Sequence, residues 1–284
     1  MTNDKSVRFF IADTTQLVQK ASEIHDTTPV STAAFGRTLT GAAIMGRMLK
    51  NDKDRLTFQI NGSGEIKSIL VVSDNTGNVK GYISAPHVDL PIREDGKLDV
   101  GRAIGKDGNM IVIKDYGLKT PFIGKSALVS GEVAEDLANY FMNSEQQPSI
   151  VSLGVNINPD LTVKSAGGLI IQPMPEAGDE VIDKLEALVS VMPTMTELFN
   201  MDLSLIQMAE LVLNTFGVNQ TSETEIDFIC DCSKEKFERG IVTLGESDIK
   251  EMIDEDGQAE VQCHFCNQIY HFAKKDLENI LKNK

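Results

Sequence analysis

Cys230-Asp231-Cys232 and Cys263-His264-Phe265-Cys266 contain the only four cysteines of the chain, with residues 233 to 262 between the two pairs. Two close thiol pairs around a spacer long enough to fold point to tetrahedral zinc rather than to a structural disulfide framework. Four thiolates close such a site and leave no position for a substrate or an activated water, which argues against catalytic zinc. The surrounding segment, 221–284, has few large apolar side chains, among them Phe228, Phe237, Phe272 and Leu277, and a module of that size needs a staple. Because the binding free energy of a structural metal is largely folding free energy, metal loss is predicted to unfold it.

The first pair is the less common one, with the single residue Asp231 between its sulfurs. In an extended chain residues i and i+2 reach the Cα separation of about 4.4–6.8 Å that a disulfide needs, and so do the ends of a C-x-x-C turn. Each pair can therefore chelate or oxidise, and a sulfenic acid at one sulfur has a resolving thiol beside it. A site that is only structural stays open on this reading. A thioredoxin-like oxidoreductase is disfavoured, since Cys263-His264-Phe265-Cys266 does not open a helix after a strand. His264 and His271 could substitute as ligands but are read as surface or outer partners, because four cysteines fill the shell. Asp254-Glu255-Asp256-Gly257 fails as a calcium loop: Met252 would take the first ligand position. It is read as a turn.

Upstream of the cysteines, Asp179 to Phe216 shows helical periodicity (Val181, Leu185, Leu188, then Leu198, Ile206, Leu213) broken at Pro193. Met192, Met195, Met201 and Met208 lie here, and methionine adapts best to irregular or changing partners. Two readings stand: a helical hairpin buried against the first domain, or a metastable linker that releases apolar surface. Pro173-Met174-Pro175-Glu176-Ala177-Gly178 closes the region before it. There Ser6 to Ala12 reads as a strand, Thr14 or Thr15 caps a helix to about His25, and Ser31 to about Lys50 reads as a buried helix. Residues 55–133 are short β-rich runs divided by turns such as Asn61-Gly62-Ser63-Gly64, Asp74-Asn75-Thr76-Gly77 and Asp107-Gly108-Asn109. A helix over Glu132–Asn143 and strands over Ile150–Asn156 and Val163–Gln172 follow. The expectation is an α+β fold, with sheet on one side and helices against it. It comprises an N-terminal domain (1–177), a helical Met-rich linker (178–220) and a small C-terminal zinc-binding module (221–284).

A formal net charge of −15 and the absence of a Lys/Arg stripe argue against a nucleic-acid partner. The polar start, Met1 to Lys5, does not read as an export signal. Apolar runs such as Leu169-Ile170-Ile171 fall far short of the about 18 residues of a membrane span. The expectation is a soluble, cytoplasmic protein, for which the Asn219-Gln220-Thr221 sequon has no meaning.

The cysteine pattern resembles that of the heat shock protein 33 family of bacterial redox-regulated chaperones. Further segments carry the resemblance: Gly36-Arg37-Thr38-Leu39-Thr40, Ala134-Glu135-Asp136-Leu137-Ala138-Asn139-Tyr140-Phe141, Ser144-Glu145-Gln146-Gln147-Pro148-Ser149, and Ala166-Gly167-Gly168-Leu169-Ile170-Ile171-Gln172. It implies an ATP-independent holdase, not an enzyme, whose partners are unfolded client proteins and whose active state is a homodimer. Cys230, Cys232, Cys263 and Cys266 would hold one Zn(2+) per chain in the reduced, inactive state. Oxidation would pair Cys230 with Cys232 and Cys263 with Cys266, eject zinc and unfold the module. No residue is given a catalytic or further cofactor-binding role, and Glu145 and Gln172 are left as turn and packing residues.

Overall fold

A computed structural model of the chain describes residues 1–219 and 221–282; Gln220 of the sequon and the last two residues of the C-terminal module lie outside them. Contacts divide the chain into two compact units, Met1–Phe228 and Ile229–Lys284.

In the first unit β1 (Val7–Asp13) leads into α1 (Thr15–His25) and α2 (Pro29–Arg47). Thr14 holds the N-cap position of α1 but its hydroxyl turns inward, 2.7 Å from that of Thr40. Asp13 serves the helix start instead, its Oδ1 accepting from Thr15 N at 2.9 Å. α2 begins two residues earlier than predicted because Pro29 suits a first helical turn, where no amide hydrogen is needed. Sixteen of its nineteen residues are buried, which makes it the central helix of the unit. Small residues let it approach a sheet closely: a Cβ on Gly46 would come within 2.4 Å of the Asp74 carbonyl oxygen.

Sequence reading expected one sheet with helices against it; the unit has two, and α2 contacts both. β2 (Arg55–Asn61), β3 (Ser68–Asp74), β4 (Val79–Ile83), β5 (Asn109–Asp115) and β6 (Phe122–Ala127) form an antiparallel sheet in the order β4-β3-β2-β5-β6. The predicted Asp74–Gly77 turn joins β3 to β4, with Asp74 Oδ1 accepting from Thr76 N at 2.9 Å and Gly77 at φ +86°. β7 (Ile150–Ile157) and β8 (Val163–Pro173) form the second sheet with β1, in the order β1-β8-β7. A short α3 (Val100–Ile104), not foreseen, is started by Asp99, whose side chain accepts from Arg102 N at 3.1 Å. α4 (Ala134–Ser144) follows β6.

Residues 165–173 of β8 are all buried, because helices cover both faces of its sheet. α2 lies on one face. On the other, Val7, Leu169 and Ile171 pack with Leu185, Met195, Leu198, Met208 and Val212. The latter come from α5 (Asp179–Val189), α6 (Met195–Phe199) and α7 (Leu205–Val212), three helices where two segments were expected.

The second unit runs α8 (Lys234–Val242), α9 (Glu246–Glu251), one π-helical turn (Met252–Asp256), β9 (Gln258–Gln262), β10 (Ile269–Ala273) and α10 (Lys274–Lys282). Asp254-Glu255-Asp256 lies in the π-helical turn, which Gly257 closes in a left-handed conformation. The buried cluster here is small: Ile241, Ile249, Ile253, Phe272, Leu277 and Ile280. Among the described residues no helix is long and apolar enough to cross a membrane.

Candidate metal centre

Both cysteine pairs lie in irregular backbone held by neighbouring regular elements of the second unit. Cys230 and Cys232 precede α8, whose N-cap Ser233 accepts from Lys236 N at 3.3 Å. Cys263 and Cys266 lie in the tight connection of the antiparallel β9–β10 hairpin. There Cys263 N donates to Gln268 O at 2.9 Å, and Asn267 N donates to Cys263 O at 2.8 Å. Asn267 takes a left-handed conformation, φ +58°, which asparagine tolerates better than most residues. The turn thus fixes the two sulfurs of Cys263 and Cys266 toward those of the α8 lead-in.

The four Sγ atoms all lie within 4.8 Å of one another. Cys230 is 3.7 Å from Cys263, and Cys232 is 3.3 Å from Cys266. All four are free thiols. Four sulfurs on a tetrahedral zinc, with Zn–S near 2.3 Å, would be spaced by about 3.8 Å, so the observed spread fits an S4 site. Cys263 is buried, 4% exposed, and the others are half-buried. The chain brings together all four predicted ligands. His264 is exposed, and His271 pairs instead with Glu260, Nδ1 to Oε2 3.3 Å. Neither belongs to the cluster.

Electrostatics divide the sulfurs. Burial pushes Cys230 well above the ordinary thiol range and Cys266 up to about 11. At Cys232 burial acts in the same sense but is outweighed by hydrogen bonds from the Tyr270 hydroxyl and the neighbouring thiols, which hold it below the ordinary value. Tyr270 is pushed up in return, chiefly by its bond to Cys232. Thiols packed this closely resist ionising together, and a bound dication would favour their thiolate forms.

Two features escaped the sequence reading. Tyr270 Oη lies 3.1 Å from Cys232 Sγ, a contact between residues 38 apart in the sequence. Asp231, between the first two sulfurs, forms an ion pair with Lys236; the i, i+5 spacing across a helix start gave no signal.

The family model described as Hsp33 protein matches residues 1–273. The chain belongs to the Hsp33 family. A 33 kDa chaperonin of Alkaliphilus metalliredigens is 46% identical over 278 residues, 98% of this chain and 95% of that protein. One from Clostridium perfringens is 45% identical over 285 residues, covering 100% and 90%. The crystal structure of the 33 kDa chaperonin, heat shock protein 33 homolog, of Thermotoga maritima superposes with a TM-score of 0.90 at 37% identity, over 99% of this chain and 95% of that one. Hsp33 membership makes this chain a chaperone rather than an enzyme, with its four cysteines gathered within metal-binding distance.

Proposed function

We propose that this Hsp33 chain is a redox-regulated, ATP-independent holdase that is inactive when reduced and zinc-bound and binds unfolding proteins once oxidised. The observation that carries the reading is the gathering of the four sulfurs, within 4.8 Å, in a unit with six buried apolar residues. Cys230, Cys232, Cys263 and Cys266 hold one zinc per chain. When bound, zinc supplies the folding free energy that so small a core lacks and keeps the sulfurs as thiolates.

On oxidation two thiols lose two electrons to form each disulfide, and peroxide is reduced to two waters. The pairs are Cys230 with Cys232 and Cys263 with Cys266. All four sulfurs are close in the folded unit, but only these pairs stay close along the chain once it opens, which keeps their loop-closure entropy small. Without its metal the second unit, Ile229–Lys284, unfolds. The linker 178–220 then loosens from the N-terminal domain 1–177, and apolar surface becomes available to clients. The shortness of α5 to α7, 11, 5 and 8 residues, supports this, since isolated helices below about 12–15 residues are marginal. Family resemblance extends the reading to unfolded client proteins, a homodimer in the active state and a cytoplasmic setting.

The test combines zinc release, thiol counting and suppression of client aggregation before and after peroxide with mild warming. Release of one zinc and loss of four thiols, together with gain of aggregation suppression, is expected. Oxidised protein that keeps its zinc, or loses it without protecting the client, sinks the proposal.

A further inference from the structure

Tyr270 stands on β10 opposite Val261 of β9. Its ring packs against that of Phe237 on α8, centroids 5.1 Å apart and planes tilted by 41°. The hydroxyl of the same ring lies 3.1 Å from Cys232 Sγ. Cys232 Sγ is in turn 3.3 Å from Cys266 Sγ. The hydroxyl is therefore aimed at a sulfur that is itself part of the four-sulfur cluster, from outside the ligand set.

We propose that Tyr270 is a positioning residue of the metal centre: its O–H donates to the Cys232 thiolate, orients that sulfur toward the other three and withdraws part of its charge. The inference rests on the reading of the four cysteines as zinc ligands. A ligating atom rarely acts alone; groups that hydrogen-bond to it set its orientation and electron density, and removing one typically lowers metal affinity about 10–100-fold. A thiolate that accepts a hydrogen bond is also a poorer nucleophile, because the lone pair that would attack is engaged. Tyr270 thus restrains Cys232 toward electrophiles, so the two sulfurs of the Cys230-Asp231-Cys232 segment differ in reactivity although only one residue separates them.

Tyr270→Phe removes the hydroxyl and keeps the ring against Phe237, while Phe237→Leu keeps the hydroxyl and replaces the aromatic partner with an aliphatic one that still covers the ring. In the full, reduced chain three quantities are compared: zinc affinity by chelator competition, the thiolate-to-metal charge-transfer band of the cobalt(II) form, and the iodoacetamide alkylation rate at each cysteine by mass spectrometry. Tyr270→Phe is expected to weaken zinc binding about 10–100-fold, shift the cobalt band and speed alkylation of Cys232 more than of Cys230. Phe237→Leu is expected to leave the band in place. A Tyr270→Phe chain with affinity within twofold of the parent and an unmoved band overturns the proposal. So does complete loss of metal binding, or a band shift that Phe237→Leu reproduces, either of which assigns Tyr270 to packing. If the unsubstituted chain takes up neither zinc nor cobalt, the metal reading fails, and this inference with it.

Discussion

Asp231 lies between two sulfurs of the cluster, yet its carboxylate pairs with Lys236 where both side chains are about half exposed, 60% and 46%. Exposed pairs of this kind contribute at most about 1 kcal/mol, so Asp231→Ala should leave zinc stoichiometry unchanged and shift the unfolding midpoint of the second unit only slightly. Cys263→Ser should do the opposite. It removes the most buried of the four sulfurs, and metal analysis with far-ultraviolet circular dichroism should show both zinc and second-unit structure lost. In the first unit Tyr140 is fully buried, and burial followed by the nearby Glu145 charge raises its phenol above the ordinary value of 10. The neutral phenol is thus favoured in the folded chain. Its contribution is complete below pH about 10, where the unfolded phenol is also protonated, and is lost above that as the unfolded state ionises. Urea midpoints should fall as pH rises past 10, and Tyr140→Phe should flatten that fall; an identical decline in the variant would contradict it. The gathering of the four cysteines was legible because two close pairs around a folding-sized spacer suit a tetrahedral set of thiol ligands. Tyr270 was not, because it meets Cys232 across 38 residues of sequence, a separation that no local pattern spans.

The three-stranded sheet shows the same limit among elements. Its strands read well individually, β1 within one residue, but Val7 pairs with Pro173, and no local signal spans that separation. α5 to α7 were read as two segments because Pro193 was the visible breaker. The second break falls at Asp202, φ +53°, after which Ser204 and Gln207 form a capping box, a start signal present in the sequence. This segment is docked through some of its apolar side chains and exposes others. Met195 and Leu198 are fully buried on the sheet, whereas Val191 and Leu211 are 77% and 43% exposed. Helices this short depend on that docking. Leu198→Ala should therefore weaken it by about 2–5 kcal/mol and speed amide exchange over 179–212 without affecting β2. Leu211→Ala, at an exposed site, should cost under about 0.5 kcal/mol. If the linker acts as proposed, Leu198→Ala should also suppress client aggregation while still reduced; a reduced variant that opens in exchange but protects no client would separate undocking from activity.

At the scale of the molecule the division into Met1–Phe228 and Ile229–Lys284 falls two residues before Cys230. Phe228 is held firmly in the first unit: it is 2% exposed, bridges Val79 in parallel and meets the His25 ring edge-on at 6.3 Å. Asp227 adds a bond from Val79 N to its carbonyl at 3.0 Å and an ion pair to Lys20 at 2.8 Å. None of these contacts uses the cysteines. The second unit has instead its own cluster of six buried residues and, on the proposed reading, takes the rest of its stability from zinc. Stability is then uneven, and opening should follow cooperative units rather than the whole chain. Chelation of the metal under reducing conditions should abolish hydrogen-exchange protection across β9, β10 and α10, while β2, β8 and the amide of Val79 keep theirs. The boundary should fall between Phe228 and Cys230. Phe228→Ala, which empties a buried site and costs about 3–5 kcal/mol, should move that boundary upstream into the β4 pairing. Loss of protection in β2 or β8 on chelation of the unsubstituted chain would show that the two units unfold as one.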